Sequence, residues 1–167
     1  LAAFRATTAK DLVMAQRKLL QAGFTLVELV IVILILGILS AVALPRFANL
    51  GVDARKAKAE AIYGSVRAAT QIVRAAALVN NATGATGSVP LDGANVTTVF
   101  GFPDATASGI ISAAAISSTD DKVTITFAAG VATIQINGAA TPANCQITYT
   151  QATATTAASA ALAEGAC

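Results

Sequence analysis

The sequence predicts an α+β fold: one long N-terminal helix, transmembrane in its first half and amphipathic in its second, packed on a small antiparallel β-sheet. Three observations carry this. Leu29 to Leu44 is a run of sixteen uncharged residues, twelve of them Leu, Ile or Val. The Ala-rich stretch beyond it repeats apolar residues at three- and four-residue intervals, the period of one helix face. From Val123 onward the period falls to two, the mark of half-buried strands.

Composition agrees and narrows the function. The 167 residues leave room for one modest domain plus an appendage. Charged residues are 12% of the chain, about half the usual globular share, so part of it is not adapted to bulk water. With no His and two Cys, a Ser-His-Asp triad, a Cys-His pair and a His-based metal site are excluded, and no cofactor is indicated. A net charge of +2 offers no electrostatic footprint for nucleic acid.

Phe24 to Leu44 makes 21 residues, which as a helix span about 31 Å against a bilayer core of roughly 30 Å. Twelve Leu, Ile or Val side chains at about −0.3 to −0.6 kcal/mol each outweigh the carboxylate of Glu28, which costs at most ~3 kcal/mol even mid-membrane. The β-branched residues do not argue for a strand, because an isolated segment in lipid must satisfy its backbone internally as a helix. Three fates remain open on this pattern: a signal peptide cut after Ala41-Val42-Ala43, a plain signal anchor, or a segment cut ahead of the apolar run and kept.

Gly23-Phe24-Thr25-Leu26-Val27-Glu28-Leu29 opens the run. This stretch resembles the cleavage and methylation motif of type IV pilins and type II secretion pseudopilins: Gly, Phe, a small hydroxylated residue, two apolar residues, Glu, then an apolar segment. Gly37 within the run and Pro45 at its end fit the same pattern. The resemblance implies that a prepilin peptidase and N-methyltransferase cuts between Gly23 and Phe24 and methylates the new Phe24 amine. Gly23 offers an unobstructed backbone, and Arg17 and Lys18 keep the leader cytoplasmic. It further implies that Glu28 pairs with the Phe24 amine of a neighbouring subunit, since a desolvated acid gains most from an opposite charge. The alternative for Glu28 is a headgroup-level acid favouring the helix N-terminus.

The expected organisation is a leader over 1–23, a transmembrane and assembly helix over 24–52, and a globular pilin domain over 53–167 with a C-terminal disulfide loop. Met14 is the expected true start. The leader carries net +3, so the 144-residue remainder carries net −1. Pro45 is expected to kink the helix, and Gly37 and Pro45 bracket a stretch able to lose helix on assembly.

Further along, Ala59, Ile62, Val66, Ala69, Val73 and Ala76 mark a buried helix face, while Asp53, Glu60, Arg67 and Arg74 recur every seven residues on another, read as solvated or, more sharply, as a subunit contact. Asn80-Asn81 ends the helix. A Gly/Thr/Ala-rich connection is expected to Thr106, then a short helix over Ala107–Ile116. The glycosylation sequons at Asn81 and Asn95 are common by chance in such composition. Strands are expected at Val123–Phe127, Val131–Ile136 and Cys145–Tyr149, with Asn137-Gly138 as a hairpin turn.

For an exported domain in an oxidising compartment, Cys145 and Cys167 are expected to form a disulfide, worth roughly 3 kcal/mol and closing a surface loop as in pilins. The adjacent acids Asp120 and Asp121 read as a solvated turn, not a catalytic pair. Pro45 to Leu50 with Asp53-Ala54-Arg55 resembles mannose-sensitive haemagglutinin pilins, which implies attachment. The resulting expectation is a non-enzymatic subunit of a type IV pilus, serving attachment first and motility second. It would be stored in inner-membrane lipid with its N-terminus cytoplasmic, then assembled with copies of itself by inner-membrane pilus machinery into an extracellular filament. The alternatives are a type II secretion pseudopilin or a secreted soluble domain.

Overall fold

The computed structural model describes residues 23–167, so the leader expected over 1–23, apart from Gly23, and the start at Met14 lie outside the described residues. Helix α1 runs Leu26–Val79 and contributes to two compact units that divide between residues 46 and 47.

In the first unit, Leu26–Leu44 is long and apolar enough to cross a membrane, with mean hydropathy 2.9 and none of it buried. Leu29, Ile33 and Leu36 are each more than half exposed. An apolar surface this continuous has no stable place in water. The helix passes through Gly37 and Pro45 without interruption.

In the second unit, α1 buries Ala59, Ile62, Val66, Ala69, Val73 and Ala77, a stripe of three- and four-residue steps. Ala77 takes the place expected for Ala76, which is only partly buried. Two antiparallel sheets receive this stripe. One has the order β1 (Gly87–Leu91), β2 (Ala94–Val99), β3 (Phe102–Pro103); the other has β4 (Val123–Ala128), β5 (Val131–Ile136), β6 (Gln146–Thr150), β7 (Ser159–Ala163). Ala59 to Ala69 share a core with Ala132, Ile134, Ile136, Ile147 and Tyr149. Val73 and Ala77 share a smaller one with Val89 and Val96. The whole is the α+β, pilin-like arrangement expected.

Four expectations need correction. The first sheet occupies the stretch expected to be an irregular connection. Its β1–β2 turn is Asp92-Gly93, with φ of +48° and +80°, the two-residue hairpin geometry that Asp-Gly favours. The strands are short and rich in small residues, so their alternation is faint. The second correction is β7, which lies in the expected C-terminal loop and pairs with β6 from Gln146↔Ala163 to Thr150↔Ser159. The free edge of β6 supplies a template that SAALA does not announce by itself.

Third, Asn137-Gly138 is not a tight hairpin. Nine residues separate β5 from β6, including a short 3₁₀ turn at Pro142–Asn144. Asn137 instead braces β4, accepting from the Thr124 hydroxyl at 2.8 Å and donating its backbone N–H to Lys122 O at 3.2 Å. Fourth, the helix expected over Ala107–Ile116 is a π-type turn over Ala107–Ile111, with Gly109 non-helical. A Cβ on Gly109 would stand 1.9 Å from an Asp104 carboxylate oxygen, so the backbone requires glycine there.

Side-chain bonds help tie these parts together. The buried Tyr149 hydroxyl donates to Pro103 O at 2.7 Å, joining the two sheets. Ser65 donates from α1 to Ala114 O at 2.9 Å.

Candidate functional site

The residues singled out at the head of α1 fold into a definite motif. Gly23 and Phe24 precede the helix, and Phe24 is 90% exposed. Thr25 is the N-cap. Its hydroxyl accepts from the Glu28 N–H at 3.2 Å, while its own N–H and hydroxyl donate to Glu28 Oε2 at 2.9 and 2.8 Å. This is a capping box, in which cap and third helical residue satisfy each other's backbone donors. The sequence carries its signal, Thr-x-x-Glu ahead of an apolar run, but the motif resemblance accounts for Thr25 only as a small hydroxylated residue.

The box changes what Glu28 can do. In the single chain its carboxylate turns back on its own helix start and is partly satisfied. Both bonds land on Oε2, so Oε1 is left to meet a cation without opening the box. Phe24 carries the next backbone amide upstream of the cap. Peptide-bond cleavage after Gly23 would convert it to a charged terminus one residue from the cap.

Gly37 and Pro45 are placed within α1. A Cβ built on Gly37 meets nothing within 4 Å, so space does not demand glycine there; its contribution is a helix weaker by about 1 kcal/mol than with Ala.

At the other end of the chain Cys145 and Cys167 are joined as a disulfide across a sequence separation of 22. Both are buried in the larger core. The bond encloses β6 and β7, and Arg55 of α1 donates to the Cys167 carbonyl. The C-terminal segment is therefore a sheet edge pinned to the helix.

Of the seven-residue charge series, Asp53, Glu60 and Arg67 are exposed and Arg74 is half-buried. Arg74 is not a solvated charge: it donates to Phe100 O at 2.9 Å and lies 4.7 Å over the Phe102 ring. Phe100 has φ of +51°, and its turned-out carbonyl is what the guanidinium caps. Asp121 accepts from the Ser117 N–H at 2.9 Å, closing a turn. Among the described residues no three His, Cys, Asp or Glu side chains converge to hold a metal.

One of the comparisons with known proteins bears on the head of α1. Residues 18–44 match the family described as a prokaryotic N-terminal methylation motif. The chain is also similar to the type IV narrow pilus major component PilA5 of Thermus thermophilus, 52% identical over 50 residues. That match covers 30% of this chain and 43% of the relative, so the chain spans less than half the length of the curated relative it matches. No solved structure matches at a significant level. The chain thus carries a prepilin-type methylation motif seated on an apolar helix whose first turn Thr25 and Glu28 close.

Proposed function

We propose that this chain is a type IV pilin, a structural, non-enzymatic subunit of a surface filament. The observation that carries the reading is the methylation motif over residues 18–44, which straddles the Gly23–Phe24 junction and continues into the exposed apolar helix. The similarity to a pilus major component supports it. So does a sheet-bearing unit fit to coat a filament, its last strands cross-linked by Cys145–Cys167.

On this reading the peptidase cuts after Gly23 and the Phe24 amine is methylated. Leu26–Leu44 holds the subunit in the inner membrane, N-terminus cytoplasmic, until pilus machinery transfers it to the filament. There the apolar face leaves lipid for other copies of itself. Glu28 keeps its capping box and offers Oε1 to the Phe24 ammonium of a neighbour. An acid in an apolar filament core gains a charge-assisted bond there, and the pairing fixes axial register. Gly37 and Pro45 bracket the stretch that loosens on assembly. Surface attachment is the role, in the manner of mannose-sensitive haemagglutinin pilins.

Mass spectrometry of filaments sheared from cells tests this. The expected N-terminus is methylated Phe24. A dissolved exported product beginning at Leu44, from cleavage after Ala43, would overturn the reading. Glu28→Ala should insert into membranes at least as well as the parent and lose most filaments, because the register contact is gone while the apolar helix is intact.

A further inference from the structure

The charge series on α1 has an order as well as a period. Reading from the N-terminus it is acid, acid, base, base: Asp53, Glu60, Arg67, Arg74. A seven-residue repeat drifts by only about 20° per step on a straight helix, so the four lie along one shallow stripe. Asp53, Glu60 and Arg67 are exposed. Ala57 and Gly64, one turn beyond each acid, are also exposed, and a Cβ on Gly64 would meet nothing within 4 Å. The acidic end of the stripe is therefore low in bulk and open to another helix.

The basic end is built to present charge. Arg67 lies 5.7 Å over the Tyr63 ring and Arg74 lies 4.7 Å over Phe102. Arg74 spends one donor on Phe100 O, and a guanidinium has five. Each borders a shallow recess against the 152–160 segment, and neither recess is lined by an acidic side chain among the described residues. Lys56, half-buried, is the one cation three or four positions from an acid of the stripe. It stands three residues after Asp53, in the favourable orientation for a pair within one helix, and four before Glu60, in the weaker one. Glu60 is thus the acid of the stripe with less help from its own helix.

We propose that this stripe is a docking surface for a second copy of the same chain, lying parallel and displaced by fourteen residues, about 21 Å along the helix. Asp53 then faces the partner's Arg67, and Glu60 faces the partner's Arg74. Charge order selects the displacement. With no offset, acid meets acid and base meets base. At seven residues one attractive contact stands between two repulsive ones, and at twenty-one a single attractive contact remains. Fourteen gives two attractive contacts and no repulsive one. Complementarity of this kind fixes register and rejects wrong alignments more than it adds affinity. An antiparallel pair would join Asp53 to the partner's Arg74 and Glu60 to the partner's Arg67, each twice, for four attractive contacts. Charge therefore selects the offset only among parallel pairs, and the parallel choice itself rests on the filament reading above.

Charge reversal in the full-length chain, expressed in cells and read as sheared filament yield, tests the proposal. Asp53→Arg alone and Arg67→Asp alone should each lower the yield several-fold, and the two together should restore it. As a second readout, D53C with R67C should give a ladder of cross-linked oligomers on oxidation of filaments, and D53C with R74C should give none. The proposal is overturned if the single reversals assemble at parental yield, if the double reversal stays as poor as its parents, or if Glu60→Arg with Arg67→Glu is the pair that recovers. An unsubstituted chain that makes no filaments at all would instead sink the pilin reading, which keeps the two failures apart.

Discussion

The two halves of α1 share a backbone conformation and almost nothing else. Between Leu26 and Leu44 every side chain save the partly buried Ala43 is exposed, and most are large and aliphatic. Between Ala59 and Ala77 the buried positions are mostly small or β-branched, and they form one narrow stripe. The difference lies in what each half was selected to lie against. Lipid or a bundle of like helices accepts apolar surface all round. Two sheets accept one face, and only side chains short enough to let the backbone approach. Hydrophobicity alone does not predict burial; its angular distribution around the helix does.

The sharpest way to break this comparison is to put the same charge in both halves. Val66→Asp places a carboxylate at a site with 0% exposure and should remove about 4 kcal/mol or more of stability. Near-ultraviolet circular dichroism of the detergent-solubilised chain would show its tertiary melt lost or far lower. Ile33→Asp, at a position 58% exposed, should leave that melt unchanged and weaken membrane insertion by about 3 kcal/mol, read as protein released by alkaline extraction.

The disulfide discriminates in the same way at smaller scale. Cys145→Ala with Cys167→Ala should cost about 3 kcal/mol, lowering the melt of the sheet-bearing unit and leaving insertion intact. An unchanged melt would mean that β7 holds its place without the cross-link.

Tyr149 gives the comparison a pH axis, since the sheet-bearing unit buries a titrating group. Burial lifts its phenol above the ordinary range, a Thr70 hydroxyl opposes this, and the charge of Asp104 adds to it. The folded chain therefore keeps the proton at pH values where the unfolded chain sheds it. The stabilisation is complete below the unfolded value of about 10 and is lost as pH rises toward the folded value. Tyr149→Phe should flatten that alkaline decline and cost about 1 kcal/mol at neutral pH for the bond to Pro103. Denaturant titrations at neutral and high pH would show both effects.

The smallest effect has the opposite sign. The Thr98 hydroxyl is buried and has no partner among the described residues, so Thr98→Val should raise stability by roughly 0.5 kcal/mol, seen as a higher denaturant midpoint. A drop would indicate that the hydroxyl has a bridging water.

Much of this is legible in the sequence because it depends on local pattern. Val131–Ile136 alternates and buries Ala132, Ile134 and Ile136, and Cys145, Ile147 and Tyr149 all turn inward as their spacing requires. What escapes a sequence reading depends on distant partners. Ser159–Ala163 has no alternation of size and is a strand because β6 offers an edge. Arg74 looks like any solvated helix charge until Phe100 and Phe102 arrive beneath it from the β2–β3 hairpin. At the candidate site the opposite holds: Thr25 and Glu28 are three residues apart, and a single turn of sequence contains the whole capping box.

By itself the sequence determined that one segment is too apolar for water, that an acid stands at its head, and that a helix and alternating strands follow, because these properties are summed over neighbours along the chain. Only the tertiary structure decided that a second sheet exists, that the last residues pair as a strand, and which charges are free. Edge pairing, cation–aromatic stacking and burial join residues separated by tens of positions, and no local window contains both partners.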